Sequence, residues 1–252
     1  MSQKPPINGH PHHSKHLWNA GFKPAGTPAS GGPERHLPGG RTAGFQPAPN
    51  HAVLRTRGYL PHYEIDGATY FVTFHLADSL PCAVLRELVA QRDEAISRIR
   101  HQHKGAFAAE KLRIMEAHNC RIEEWLHKGI GSCHLAVPDV AAVVAASLRF
   151  FDGERYKLDA WCVMPNHVHV VFCAFTGFGL DKILHSWKSY TANKANRILG
   201  RSETFWAREY YDRVVRDWED YEARVQYVLD NPKKAGLEDW EWVWVAGMDG
   251  ED

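Results

Sequence analysis

The alternation of hydrophobic and polar residues predicts a mixed α and β domain over residues 58–245. β-branched and aromatic residues dominate the segments 69–76, 156–164 and 167–172, as is typical of strands. A Pro-Asn dipeptide separates the last two segments. Because this dipeptide favours a turn, we expect these two strands to form an antiparallel hairpin.

Five further segments carry hydrophobic residues at helical spacing. They are residues 83–101, 106–128, 138–151, 180–199 and 219–231. The first two are amphipathic, and we interpret the region 83–135 as a helical hairpin inserted into the domain. In the fourth helix we expect the core to be contacted by Ile183, Leu184, Trp187 and Ile198.

Local signals mark both ends of the last predicted helix. Asp217 or Asp220 can cap its amino terminus. Asn231-Pro232 should end it, because a proline in a helix interior removes a backbone donor. A short extended segment is predicted at 131–135, and a strand or an irregular extended segment at 205–213. The region around the alternating residues Trp240, Trp242 and Trp244 is either a short edge strand or a packed tail.

Residues 1–50 show no helical or strand periodicity. Glycine and proline are frequent there, and five Lys and Arg residues stand against one acidic residue. Such a segment buries too little hydrophobic surface to offset its conformational entropy. We therefore interpret residues 1–50 as a disordered basic tail, whose histidine cluster is solvated.

The overall composition argues for a cytoplasmic protein without a membrane partner. The 30 Lys and Arg residues balance 30 Asp and Glu residues, so net charge identifies no partner. The five cysteines are odd in number and lack C-x-x-C spacing, which is typical of reduced thiols. No hydrophobic run approaches the roughly 18 residues of a membrane helix, and the amino terminus lacks the hydrophobic region of a signal peptide.

Two histidines, His167 and His169, lie one residue apart in the third predicted strand. Side chains at positions i and i+2 of a strand project from the same face. The two imidazoles can therefore share a divalent cation. The alternative is a half-buried structural pair that hydrogen-bonds to its neighbours.

Tyr227 lies on the polar face of the predicted helix 219–231. At about 100° per residue, one face holds Tyr221, Val225, Val228 and Leu229, and the other holds Tyr227, Asp220, Arg224 and Asn231. Asn231 is one helical turn beyond Tyr227 and lies directly over it. Taken alone, this pattern indicates a surface tyrosine.

Four motifs carry a resemblance that extends from about Tyr59 to Trp244. They are Met164-Pro165-Asn166-His167-Val168-His169, Ser186-Trp187-Lys188-Ser189-Tyr190-Thr191-Ala192, Phe205-Trp206-Ala207-Arg208-Glu209-Tyr210-Tyr211-Asp212-Arg213, and Tyr227 followed by Asn231-Pro232-Lys233-Lys234-Ala235-Gly236-Leu237. In this order they resemble the REP-associated tyrosine transposases, single-tyrosine members of the HUH endonuclease superfamily. The tail lies outside the resemblance, and the region 83–135 is longer than in the smallest members.

The resemblance implies a ferredoxin-like α+β domain, in which an antiparallel sheet flanked by helices carries the two histidines. A carboxy-terminal helix then carries the nucleophilic tyrosine, which the resemblance matches to Tyr227. The implied activity is that of a metal-dependent endonuclease and strand transferase, which acts on single-stranded DNA beside hairpins and forms a 5′-phosphotyrosine. Such a protein is expected to be associated with the nucleoid. A homodimer remains open, as does whether Tyr227 acts on its own chain's metal.

The residue types suit this chemistry. His167 and His169 leave a cation with open positions, and Asn231 is the most plausible oxygen ligand. A mixed nitrogen and oxygen site suits Mg²⁺ or Mn²⁺, which would polarise the scissile phosphate. Because a tyrosine has a pKa near ~10, the site must favour its ionised form or accept its proton. Supporting roles are predicted for Arg224 and Asp220.

Basic and aromatic residues are interspersed in the segment that follows the strand of His167 and His169. Residues 181–217 hold eight Lys and Arg against five Asp and Glu. The predicted DNA-binding residues are Lys182, Lys188, Lys194, Arg197, Arg208, Arg213 and Arg216. Aromatic residues among them can stack on bases, although Trp187 and Trp206 fit the core better.

Two other functions remain open at this point. One is a catalytically silent protein that binds hairpin DNA. The other is a metallohydrolase in which the histidine-bound cation activates water and Tyr227 is incidental. The presence of His167, His169 and Tyr227 together favours the strand transferase over the silent binder.

Overall fold

The computed structural model describes residues 53–57, 60–102 and 107–248, so the predicted tail lies outside the described residues. Its main sheet has five strands, β3 (Thr69–His75), β4 (Tyr156–Val163), β5 (His167–Ala174), β6 (Tyr211–Val214) and β7 (Val243–Val245). Their order is β6-β3-β5-β4-β7, and every neighbouring pair is antiparallel. A separate two-stranded sheet pairs β1 (Val53–Arg57) with β2 (Leu60–Glu64).

Five α-helices complete the fold of the described residues. They are α1 (Cys82–Gln102), α2 (Phe107–Leu126), α3 (Pro138–Arg149), α4 (Leu180–Ile198) and α5 (Trp218–Lys234). Without the α1–α2 hairpin, the chain runs β3-α3-β4-β5-α4-β6, which is the ferredoxin-like order. The predicted α+β class and the β4–β5 hairpin are therefore confirmed.

The register of the sheet assigns each side chain to a face. Thr73 lies opposite His169, and His75 lies opposite His167, and residues directly opposite share a face. The neighbouring residues of β3 and β5 point to the other face, where they pack against α3 and α4 in the main core. This core includes Tyr70, Val72, Phe74, Val168, Val170, Phe172, Val144, Leu148, Ile183, Leu184 and Trp187.

The histidine face is covered by α5 and by the α1–α2 hairpin. α5 connects β6 at one edge of the sheet to β7 at the other edge, and it packs against β4, β5 and β7. Ile122 and Leu126 of α2 pack with Tyr211 of β6 in a second, smaller core. The inserted hairpin is thus built onto the same face as the histidines.

Three local predictions were wrong. Ile198 lies in the last turn of α4 and is 43% exposed. The segment 131–135 is not extended; Gly131 and Cys133 adopt positive φ, and His134–Ala136 form a 3₁₀ helix. Helix α5 continues through Pro232, because its cap is formed later, where Gly236 adopts φ 74° and Leu237 N–H donates to the carbonyl of Pro232 at 2.9 Å.

Other local predictions were confirmed. Asp217 caps α5, because its side chain accepts a hydrogen bond from Asp220 N–H at 2.8 Å. Trp187 and Trp206 are buried. Of the alternating tryptophans only Trp244 lies in the edge strand β7, where it pairs with Trp161 of β4, whereas Trp240 and Trp242 precede this strand. In the predicted segment 205–213, regular strand structure begins only at Tyr211.

Candidate metal centre and nucleophile

His167 and His169 lie at the start of β5, the central strand of the sheet, and both are almost fully buried. Their side chains share one face, as the strand period requires. The Nε2 atoms of the two rings face each other at 3.0 Å. This arrangement places two imidazole nitrogens side by side on the face of the sheet that α5 covers.

Two neighbours fix the orientation of these rings. Asn166 donates from Nδ2 to the carbonyls of Leu126 and Ile130, at 3.0 and 3.3 Å, so its Oδ1 accepts the Nδ1 proton of His167 at 2.7 Å. The Nε2 atom of His167 therefore carries a lone pair. The hydroxyl of Thr73 lies 2.8 Å from Nδ1 of His169 and can either donate or accept, so it suits both tautomers of that ring.

The donor set fits a small divalent cation. Burial lowers the pKa of both histidines well below the usual range, so the rings are neutral ligands at physiological pH. Adjacent ligands at about 2.1 Å from an octahedral ion lie about 3 Å apart. The separation of 3.0 Å between the two Nε2 atoms matches this spacing.

A third histidine, His127, lies beside the pair, although no motif in the sequence marks it as a ligand. The ligand atoms of His127, His167 and His169 all lie within 4.8 Å of one another. His127 follows the last residue of α2, and burial lowers its pKa. Its Nε2 lies 3.3 Å from Oδ1 of Asn231, which is fully buried. The predicted ligands His167, His169 and Asn231 are thus grouped with a histidine from the insertion.

Tyr227 lies beside this cluster on α5. Its ring meets that of His169 edge-on, with centroids 5.3 Å apart, and meets that of Phe71 in the same way at 5.7 Å. Its hydroxyl donates to Oε2 of Glu123, in α2, at 2.7 Å. Tyr227 is therefore half-buried between β5 and the inserted hairpin, and it is not the surface tyrosine that its helical face alone suggests.

The electrostatics of this hydroxyl oppose its ionisation in the resting protein. Burial and the adjacent Glu123 carboxylate raise the pKa of Tyr227. Burial also raises the pKa of Glu123, which makes this carboxylate a stronger base than an exposed glutamate. The ammonium of Lys234 lies 4.9 Å from the centroid of the Tyr227 ring.

Asp220 is buried, whereas Arg224 is partly exposed, and the two pair with each other. Nε of Arg224 donates to Asp220 at 3.2 Å, and Arg213 and Arg216 also reach Asp220, at 3.1 and 3.5 Å. Arg213 additionally bonds to Glu116 of α2 at 2.6 Å. These ion pairs connect β6, the start of α5 and the inserted hairpin. The contacts of Asp220 and Arg224, the predicted supporting residues, are therefore structural in this network.

The seven basic residues predicted to bind DNA have different environments. The exposed ones are Lys182, Lys194, Arg197, Arg208 and Arg216. Lys188 is partly buried and donates from Nζ to the carbonyls of Ala207 and Arg208, at 2.8 and 2.9 Å. Burial lowers its pKa to about 8. Arg213 forms ion pairs with Asp220 and Glu116, as described above.

Within the described residues, no helix combines the length and the hydrophobicity that a membrane crossing requires.

Comparison with known proteins supports the resemblance in the region of the site. Residues 144–231 match the family model described as Transposase IS200 like. This range includes His167, His169, Tyr227 and Asn231 but not Glu123 or His127. A REP-associated tyrosine transposase of Escherichia coli (strain K12) is 25% identical over 89 residues, 34% of this chain and 52% of the relative. The match spans about half the length of that relative. Within these 89 residues it confirms the resemblance to the REP-associated tyrosine transposases.

Two solved structures have low overall similarity to this chain. One is a REP-associated tyrosine transposase bound to a REP hairpin, with a TM-score of 0.39 and 16% identity, which covers 75% of this chain and 82% of its own. The other is a candidate transposase of Deinococcus radiodurans R1, with a TM-score of 0.26 and 14% identity, which covers 70% of this chain and 95% of its own. At these scores neither structure bears on the function.

Proposed function

We propose that this chain, which matches the IS200-like transposases over residues 144–231, is a metal-dependent endonuclease and strand transferase for single-stranded DNA. The observation that carries the proposal is the meeting of Tyr227 with the histidine pair, at 5.3 Å between the ring centroids of Tyr227 and His169. The proposed nucleophile and the candidate metal centre come from separate elements and lie side by side.

The metal ligands in this proposal are His167, His169 and Asn231, with His127 as a further donor. A bound Mg²⁺ or Mn²⁺ would polarise the scissile phosphate and neutralise the charge that develops on it. Asn166 and Thr73 hold the two imidazoles in the required orientation, as partners of metal-binding histidines do in general.

Tyr227 is the proposed nucleophile. Its oxygen forms a bond to phosphorus as the bond to the 3′ oxygen breaks, which leaves a 5′-phosphotyrosine and a free 3′ hydroxyl. The phosphate stays in an ester linkage throughout. Rejoining to another 3′ hydroxyl therefore needs no ATP, which suits strand transfer.

The proposed partner is single-stranded DNA that carries a hairpin. α4 lies on the face of the sheet opposite to Tyr227. We assign to its exposed residues Lys182, Lys194 and Arg197 contacts with phosphates away from the cut strand. The ring of Tyr190 is 52% exposed, and the ammonium of Lys194 lies 5.8 Å from its centroid. An exposed aromatic ring with an adjacent cation suits base stacking.

A trapping experiment tests the proposal. A labelled single-stranded DNA pool with a constant hairpin and randomised flanks is incubated with the protein and Mn²⁺, and products are separated under denaturing conditions. Label that remains on protein, with the modified peptide containing Tyr227, supports the strand transferase. Free cleaved DNA without adduct supports the metallohydrolase, and binding without cleavage supports the silent binder.

A further inference from the structure

We propose that Glu123, contributed by the inserted hairpin, is the general base that accepts the proton of Tyr227 during attack on DNA. The inference rests on the proposed function. It assigns a catalytic role to a residue outside the region that matches the transposase family, 144–231.

The geometry is that of a base already in contact with its acid. The Tyr227 hydroxyl donates to Oε2 of Glu123 at 2.7 Å, within the range required of a general base. The edge-on contacts of the Tyr227 ring with His169 and Phe71 hold the hydroxyl in this direction. Glu123 in turn lies on a helix, α2, whose neighbouring residues Ile122 and Leu126 are fully buried. Both partners are therefore positioned by packed elements.

The other charged groups near Tyr227 cannot take this proton. The ammonium of Lys234 and the guanidinium of Arg224 are hydrogen-bond donors without a free lone pair. The Nε2 atoms of His167 and His169 are the proposed metal ligands, and a coordinated nitrogen has no lone pair to offer. Glu123 is the carboxylate in direct contact with the hydroxyl, so it is the acceptor that the site provides.

The proposed step balances as follows. The Tyr227 oxygen bonds to phosphorus while its proton moves to Oε2 of Glu123, and the bond from phosphorus to the 3′ oxygen breaks. The 3′ oxygen leaves with the electron pair of that bond and takes a proton from solvent. In rejoining, an attacking 3′ hydroxyl loses its proton to solvent, and Glu123 returns its proton to the departing Tyr227 oxygen.

The state of the free protein explains why proton transfer from Tyr227 to Glu123 occurs during the attack on phosphorus and not before it. In the free protein the phenol donates its proton in the hydrogen bond to Glu123, at 2.7 Å. The phenol becomes strongly acidic only when its oxygen begins to bond to phosphorus. A base that is already hydrogen-bonded then removes the proton without any rearrangement.

The test compares Glu123→Gln with Glu124→Gln in the full chain. The amide oxygen of glutamine can still accept the Tyr227 hydrogen bond but cannot take the proton. We expect Glu123→Gln to slow covalent adduct formation by about 100-fold or more, with DNA affinity within a few-fold and an unchanged thermal midpoint. Glu124 is the adjacent, exposed acid, so Glu124→Gln removes the same charge and should retain the wild-type rate.

A chemical rescue separates a base from a structural residue. Replacement of Tyr227 by 3,5-difluorotyrosine makes the phenol more acidic, so its attack depends less on a base. This replacement should restore much of the rate lost in Glu123→Gln and none of the rate lost in His169→Ala. If the replacement restores nothing to Glu123→Gln, Glu123 is not the base.

The outcomes also distinguish this inference from the function on which it rests. An adduct that forms equally fast with wild type and Glu123→Gln overturns the role of Glu123 and leaves the strand transferase intact. If the wild type forms no adduct on any member of the pool, the strand transferase itself is overturned, and the role of Glu123 falls with it.

Discussion

Oδ1 of Asn231 lies 3.3 Å from Nε2 of His127, so the tyrosine helix α5 and the inserted hairpin meet directly at the candidate metal centre. These two residues are separated by 104 positions in the chain. The insertion is therefore a part of the site and not an appendage to it. Each of the two residues offers one donor atom beside the pair on β5.

His127 should contribute to metal affinity. His127→Ala removes a neutral, buried imidazole from the cluster, and we expect Mn²⁺ to bind at least ~10-fold more weakly, since even indirect partners of ligands contribute this much. Titration calorimetry on the free protein measures the effect without any DNA. His185→Ala, at an exposed position on α4, is the matched control. Equal affinities in the two variants would remove His127 from the ligand set.

Tyr227→Phe should abolish the covalent adduct and leave DNA binding within a few-fold, because only the hydroxyl is lost. Denaturing gels measure the adduct, and fluorescence anisotropy measures binding. The rival nucleophiles are Tyr190, Tyr210 and Tyr211. The assignment is wrong if Tyr227→Phe still forms adduct while a phenylalanine variant at one of these three positions does not.

Removal of the metal should stop cleavage. Excess EDTA should abolish adduct formation, and added Mn²⁺ should restore it in the wild type but not in His167→Ala or His169→Ala. His169 is fully buried and packs on Phe71 at 5.6 Å, so its variant should also lose roughly 1–3 kcal/mol of stability. Circular dichroism checks that the fold persists. Wild-type cleavage in excess chelator would contradict the metal role.

Asp159 should make the stability of the protein depend on pH. It occupies the bulge between Leu158 and Ala160 of β4, and burial raises its pKa from 3.8 to about 7. Between these values the folded state keeps a proton that the unfolded state has released. Stability therefore falls as the pH rises through this window and levels off above it.

Asp159→Asn removes this pH dependence, so the variant should gain stability relative to the wild type as the pH rises. The expected gain is up to a few kcal/mol, at about 1.4 kcal/mol per pKa unit. Urea denaturation at several pH values measures it, with the exposed residue Asp239 changed to asparagine as the control. If the wild-type and Asp159→Asn curves stay parallel, Asp159 is not protonated in the folded state.

The strands, the helices and the pairing of His167 with His169 could be predicted because each rests on local periodicity. The i and i+2 rule places the two histidines together in any strand. The exposure of Ile198 could not be predicted, because periodicity gives the face of a helix but not how far the core extends along it. The continuation of α5 beyond Pro232 could not be predicted either, because the carboxy-terminal cap of this helix forms only at Gly236.

The partners of Tyr227 and Asn231 could not be predicted because they come from a distant insertion. Glu123 and His127 lie 104 residues from the groups they contact, and an amphipathic pattern marks them only as polar positions. Asn166 was interpreted as a turn residue, although its side chain also orients His167. A polar residue beside a metal-binding motif is a signal for this second role.

The path of α5 across the sheet brings Tyr227 to the histidine pair of the same chain. The helix is held at one end by β6 and at the other by β7, on opposite edges of the same sheet, so Tyr227 lies over the histidines of its own chain. A mixture of Tyr227→Phe and His169→Ala chains should therefore stay inactive, because neither can lend its intact half to the other. Recovered cleavage in the mixture would show exchange of α5 between molecules. Without such exchange, the initial rate of adduct formation should rise linearly with protein concentration, as expected when each chain acts alone.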